Sequence, residues 1–376
     1  ANADGRYDDD LSPVLGSLVS IQNLADGDVA STAASVDQEI DPMYVDEFIL
    51  GYEQQLPWQG WTAGLTLQYR ELGTAIDDVA IDAAVLAYCS DQGITGCDDV
   101  WTGFHQYVLT NPGEDMVVTL TGTDLSGTSL GASAADREVT LTADDLNYPT
   151  PDRTYFGAEF MVEKDFDGIW GARFSYLWSE NEGNYEGALK SDNGQTDPGL
   201  SQDFDQPGLV DGAYGFLPNH RAHQFKAFGS WQATENLIVG ANLSIASPRK
   251  FGCQGLHPTD AFAQGYGAAS WFCDLNGDGV QESTPRGSVF ESEWTKQVDL
   301  TFAYNVPFSF GRFGEGVTLR ADIFNVFNFE SAIDYNEFGE IDVDGSAENA
   351  EPDLTYRQIS GYQAPRYVRL SASVKF

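Results

Sequence analysis

The segment Asp274-Leu275-Asn276-Gly277-Asp278-Gly279-Val280-Gln281-Glu282 sets oxygen-bearing side chains at alternate positions, with glycine at the sixth. This D-x-N-x-D-G spacing is the first half of a calcium loop. Asp274, Asn276 and Asp278 would wrap a hard cation, Gly279 permits the sharp turn, and Glu282 stands at the ninth position. The twelfth position, where a bidentate Glu closes such a loop, holds Pro285, so the segment is not an EF-hand. Two readings fit these residues: a surface loop stiffened by calcium, or an acidic glycine-rich turn tethered by the adjacent Cys273. Neither reading makes the loop catalytic.

The four cysteines form two local pairs in polar, Gly-rich stretches. With no CxxC spacing and no neighbouring histidine, zinc is disfavoured. Loop-borne cysteines in even number fit disulfides made in an oxidising compartment, and the pairing Cys89–Cys97 with Cys253–Cys273 is preferred among three connectivities. His105, His220, His223 and His257 show no HxxxH spacing and read as loop or interfacial residues. No GxSxG, GxxxxGK[ST] or GxGxxG occurs, and no carboxylate pair stands out, so an enzyme is not expected. Asp342-Val343-Asp344-Gly345 is a shorter acidic turn to which no metal is assigned.

The formal charge of −39 over 376 residues argues against nucleic-acid binding, which needs clustered Lys and Arg. It reads as a solvated acidic exterior that also gathers cations. Aromatics at 13% argue against a mainly disordered chain, and the plentiful Gly, Tyr, Phe, Val and Thr favour strands and turns. No apolar run of about 18 residues is present to cross a membrane as a helix. The chain opens Ala1-Asn2-Ala3-Asp4 with no signal peptide, as a processed or truncated product would.

The elements that position these residues show a period of two. In Tyr367–Phe376 the even positions carry Val368, Leu370, Ala372, Val374 and Phe376, and the odd ones carry Tyr, Arg, Ser, Ser and Lys. Similar alternation runs through eight further stretches, beginning near Phe48, Ala63, Phe156, Trp170, Phe225, Leu237, Val298 and Val317. Most are about 10 residues long, enough to span a bilayer with tilt and longer than an ordinary soluble strand of about 5–6. Trp58, Trp61, Trp170, Trp178, Trp231, Tyr304 and Phe376 crowd the strand ends, as interfacial girdles do. Connections alternate short (55–60, 164–168, 232–236, 307–314) and long (71–152, 179–219, 247–292, 330–365). Short periplasmic turns and long extracellular loops have this asymmetry. The expected fold is therefore all-β, a transmembrane antiparallel β-barrel in the bacterial outer membrane. By parity Arg173, Lys226, Arg320, Asp322, Arg369 and Lys375 point to a wet lumen. In the first long loop, Val117–Thr121 and Val139–Thr142 read as an extra hairpin above the membrane or as two more spanning strands.

Nine strands leave open edges, and an unpaired edge in lipid costs several kcal/mol per backbone group. Residues 1–45 enter from outside as the tail of an extracellular loop, and residues 46–376 read as the C-terminal part of a larger barrel.

The ending Ala364–Phe376 resembles the terminal strand of TonB-dependent receptors, and Leu319-Arg320-Ala321-Asp322-Ile323-Phe324-Asn325-Val326-Phe327-Asn328 resembles their penultimate strand. Gly183–Gly187, Leu217–Lys226, Ile76–Val79 and Asn111–Gly113 resemble the Oar-like branch. The resemblance covers about residues 40–376. It implies a barrel of 22 strands, of which these are the last nine, and an N-terminal plug with a TonB-contacting box supplied elsewhere. The lumen-facing charges would hydrogen-bond to that plug or line a simple hydrated wall. The implied function is ligand uptake, with the ligand unspecified. The alternative is a structural or adhesive outer-membrane protein with acidic, calcium-binding surface loops.

Overall fold

The computed structural model describes residues 33–187, 189–195, 201–307, 316–342 and 350–375. Residues 33–42 and 76–150 form one unit, and residues from Met43 to Ala75 and from Pro151 onward form another.

The larger unit is built on an antiparallel meander of nine long strands. In chain order these are β1 (Tyr44–Gln55), β2 (Trp61–Thr74), β3 (Arg153–Lys164), β4 (Trp170–Gly183), β5 (His223–Thr234), β6 (Leu237–Ala246), β7 (Thr295–Val306), β8 (Gly316–Phe324) and β9 (Tyr367–Lys375). Each strand pairs only with its sequence neighbours, and the short strand Gly215–Phe216 pairs with the end of β4. β1 and β9 are the two edges of this sheet among the described residues. Phe376 lies outside the described residues.

The register keeps the expected parity across the whole sheet. Leu65 faces Phe160, Phe160 faces Tyr176 and Tyr176 faces Phe225. Further on, Ala241 faces Leu300, Leu300 faces Ile323 and Ile323 faces Val368. A one-residue slip anywhere would turn an apolar face to the wet side, so register and pattern reinforce one another. Phe48, Leu50, Phe302 and Leu370 stand exposed on that apolar face, which suits a face that lipid covers. No helix among the described residues is long and apolar enough to cross a membrane, which leaves crossing by strands untouched.

Strand ends carry the aromatics. On the short-turn side Trp61 sits edge-on to Trp58 and to Trp170, with ring centroids 6.4 and 5.9 Å apart. On the long-loop side Phe156 meets Trp178 and Tyr176 stacks on Phe225. The turn between β3 and β4 is closed by Asp167, whose Oδ1 accepts the N–H groups of Ile169 and Trp170 while Oδ2 takes Lys164 Nζ at 2.8 Å. The Lys164 bond and these amides hold the Asp167 carboxyl well below the usual carboxylate range.

The smaller unit has its own buried core, including Val79, Ile81, Val85, Trp101, Val108, Met116, Val118 and Leu141. Met116–Leu120 pairs with Arg137–Leu141 in a two-stranded sheet separate from the nine-strand meander, so this hairpin is not a pair of spanning strands. Thr121 and Thr142 do not extend the hairpin; their hydroxyls cap short helices by accepting the N–H groups of Asp124 and Asp145. Two buried aspartates organise the backbone. Asp82 accepts N–H groups from Gly103, His105 and Gln106, and Asp37 accepts from Val117 N–H and the Thr110 hydroxyl. The helix Asp82–Gln92 ends at Gly93, whose φ of 66° is the left-handed conformation that glycine adopts without strain. Cys89 at the end of this helix is bonded to Cys97.

Candidate functional site

Two groups of functional side chains emerge, one on the wet face of the sheet and one in the long loops above it.

On the wet face Asp322 is the centre of a cross-strand set. The register sets it opposite Arg369 on β9 and Thr301 on β7. Arg369 donates Nε and Nη2 to Asp322 Oδ2 at 3.1 and 2.9 Å. Arg320 Nε and the Thr301 hydroxyl donate to Oδ1 at 2.8 and 2.7 Å. Both carboxylate oxygens are thereby satisfied while the two guanidinium groups stay largely open to water. Further round, Asp299 takes Gln297 and Asn242, and Arg173 approaches Glu163 at 3.5 Å. Lys226 stands exposed between Ser175 and Ser244 on the same face. Lys375 continues β9 opposite Gly316, and its side chain lies outside the described residues. Phe228 is exposed among these polar groups, opposite Arg173 and Asn242.

The second group has no periodic signature in the sequence. Lys190, Asp192 and Asp203 come from the loop after β4, Arg249 and Arg286 from the loop after β6, and Asp334 and Glu337 from the loop after β8. Arg286 bridges Asp192 at 2.9 Å and also pairs with Asp203, which takes Lys190 Nζ at 2.6 Å. Arg249 reaches Asp334 at 2.7 Å and Glu337 at 2.9 Å. Trp271 roofs the cluster, with Arg286 and Lys190 at 4.9 and 5.3 Å from its ring. Lys190, Asp203 and Arg286 are fully buried, which is tolerable only because each charge meets an opposite one. Arg286 and Lys190 hold Asp203 below its ordinary value against the opposing effect of burial. Burial pushes Glu337 up to about 8, with Asp192 adding to the rise and Arg249 opposing it. The only sequence signal for this cluster is the scarcity of cations: any Lys or Arg inside long acidic loops has many partners to choose from.

The loops are tied further by the Cys253–Cys273 disulfide. Next to it, Glu340 accepts N–H groups from Leu256 and Asp274. The Asp274–Glu282 turn is closed on itself: Asp274 accepts the backbone N–H groups of Gly277, Asp278 and Gly279, Asn276 Oδ1 accepts from Asp278, and Asn276 Nδ2 donates to Glu282. Those amides hold the Asp274 carboxyl below its usual range. Among the described residues no group of three or more His, Cys, Asp or Glu side chains is gathered to hold a metal.

Below the loops, His220 is buried against Phe216, with ring centroids 4.4 Å apart, and its Nδ1 accepts the Asn181 N–H. Burial, then the charges of Arg221 and Lys250, bring the imidazole down to about 4, so it is neutral at pH 7.

A sheet of long strands with one apolar and one charged face, aromatic strand ends, and loops gathered at one end defines an outer-membrane β-barrel protein. No family model matches the chain. It is similar to the TonB-dependent transporter Oar of Myxococcus xanthus, 24% identical over 303 residues, which are 67% of this chain and 27% of that protein. The chain thus spans about a quarter of that relative's length. Among solved structures it is similar to the outer membrane transporter YddB from Escherichia coli, with TM-score 0.44 and 13% identity, covering 92% of this chain and 35% of that one. It is also similar to FpvA of P. aeruginosa, with TM-score 0.39 and 10% identity, covering 91% and 29%. The likeness to the TonB-dependent transporter Oar agrees with the receptor resemblance read from Leu319–Asn328 and the last strand and with the Oar-like resemblance read from Gly183–Gly187, Leu217–Lys226, Ile76–Val79 and Asn111–Gly113.

Proposed function

We propose that these nine strands form part of the wall of a TonB-dependent outer-membrane transporter that takes up a ligand from outside. The plug and the remaining strands are supplied by other parts of the same receptor, and TonB acts through the plug. The observation that carries this reading is the unbroken meander with apolar and charged faces in register from β1 to β9. Its exposed edges call for partner strands, because open backbone in hydrocarbon is prohibitively costly. The wet face, with Arg320, Arg369, Lys226 and the exposed Phe228, is the surface against which a plug would rest.

The test is made on the native outer membrane. An antibody against the loop after β6 should capture a complete barrel with a plug, on one chain or as an associated one, and ligand uptake should stop when TonB is removed. Capture of a barrel with neither plug nor TonB dependence would overturn the reading in favour of a structural or adhesive protein. The disulfide-tied, ion-paired loop cluster favours that second reading to the extent that it makes a stiff outer surface.

A further inference from the structure

A cavity of about 660 Å³ opens on the wet face below the loops, and Arg70, Arg153, His220 and Arg221 all contribute to its wall. Their charges are answered unequally. Arg70 is paired with Glu47, the acidic residue of this wall. Arg153 Nη1 donates to the Glu186 carbonyl at 2.7 Å. Arg221 Nη1 donates to the carbonyls of Pro218 and His220 at 3.0 and 2.6 Å. Among the described residues no carboxylate lies within ion-pair distance of either Arg153 or Arg221. In a chain with 58 acidic and 19 basic residues, two half-buried guanidinium groups left on carbonyls alone are against the odds. A carbonyl satisfies an N–H but leaves the positive charge uncompensated.

The surrounding groups are also donors. His220 Nδ1 already accepts from Asn181, so the neutral ring carries its proton on Nε2. Tyr155 and Gln224 line the same wall. A planar guanidinium with free N–H groups matches a carboxylate bidentately. The volume falls within the roughly 300–1,000 Å³ of small-molecule sites.

We propose that this cavity is a carboxylate site for a small, multiply charged organic acid arriving from the outer face, with Arg153 and Arg221 as its charge partners. This deepens the uptake reading by naming a ligand class, and it rests on that reading only for the direction from which the ligand comes.

The experiment titrates the complete receptor, purified in detergent from the outer membrane, with tricarballylate and separately with its uncharged trimethyl ester. Binding is followed by calorimetry at about 0.15 M salt, where the Debye length of roughly 8 Å screens the distant acidic loops. The triacid should bind and the ester should not. Arg153→Gln and Arg221→Gln should each weaken the triacid roughly tenfold, the loss of one charge-assisted pair. Arg153→Lys and Arg221→Lys should recover part of the affinity, and Arg137→Gln, in the smaller unit, should leave it unchanged. Heat-modifiable migration on gels checks that every variant is folded. Equal binding of acid and ester, equal affinity in the Gln variants, or no binding by the folded receptor would overturn the proposal. Equilibrium binding needs no TonB, so these outcomes are separate from the failure of TonB-driven uptake.

Discussion

Arg286 donates its Nε to Asp192 at 2.9 Å across 94 residues of chain, and this contact fastens the loop after β6 to the loop after β4. Arg286 also pairs with Asp203, so one guanidinium bridges two buried carboxylates from a single loop.

Removing that guanidinium leaves Asp203 with Lys190 alone and Asp192 with only the longer 3.3 Å contact to Arg249. Arg286→Met should destabilise the loop cluster by about 3–5 kcal/mol, the usual cost of breaking a buried pair from one side. Hydrogen exchange should show lost protection around Asp192, Asp203 and Trp271, with the amides of β5 and β6 unchanged. Equal protection in variant and parent would contradict the role given to Arg286.

Glu337 supplies a pH signature. Its folded pKa is raised to about 8 from an ordinary 4.5, so between these values the folded loops hold a proton that the unfolded loops release. Stability from this group is therefore greatest at low pH and falls as pH rises through that window, by up to about 1.4 kcal/mol per unit. Glu186, also raised by burial, acts in the same direction. His220 acts oppositely: its value of about 4 gives stability that is complete above pH 6.5 and declines on acidification. Between about pH 6.5 and 8 the slope thus belongs mainly to the buried acids. Glu337→Gln should flatten it, as read by loop proteolysis against pH; an unchanged slope would rule Glu337 out as its source.

The two faces of β7 should respond differently to charge. Leu300→Arg puts a guanidinium into hydrocarbon and should cost about 2–4 kcal/mol in bilayer refolding. Thr301→Arg, one residue on, faces water beside Asp322 and should cost far less. Equal penalties would mean that the faces are misassigned.

Calcium is tested at the Asp274–Glu282 turn. Calorimetric titration of the full chain is expected to show calcium binding that Asp274→Asn and Asp278→Asn weaken. Unaltered heats in both variants would leave the turn as a self-closed acidic loop.

The strands and their facing were legible because alternation is local: each residue in β6 or β9 declares its side through its immediate neighbours. Parity placed Arg369 and Asp322 on one face, but it took the β8–β9 register to set them opposite each other. The pairing of the cysteines was legible from proximity in sequence. The folded unit of residues 33–42 and 76–150 was missed beyond its hairpin. Its helix Asp82–Gln92 is short, and its anchors, Asp82 and Asp37, look like any other surface acids until their carboxylates are seen accepting backbone amides. The Arg249–Arg286 cluster was illegible for the same reason: long-range pairing among many equivalent acids leaves no period.

The central claim is that alternate residues face lipid and water, and site-directed nitroxide labelling of β6 tests it most directly. Labels placed singly at positions 239 to 245, in protein reconstituted in bilayers, are read for collision with oxygen and with a water-soluble nickel complex. Positions 239, 241, 243 and 245 should favour oxygen, and 240, 242 and 244 should favour nickel. Uniform accessibility to nickel along the strand, or a period other than two, would contradict the account.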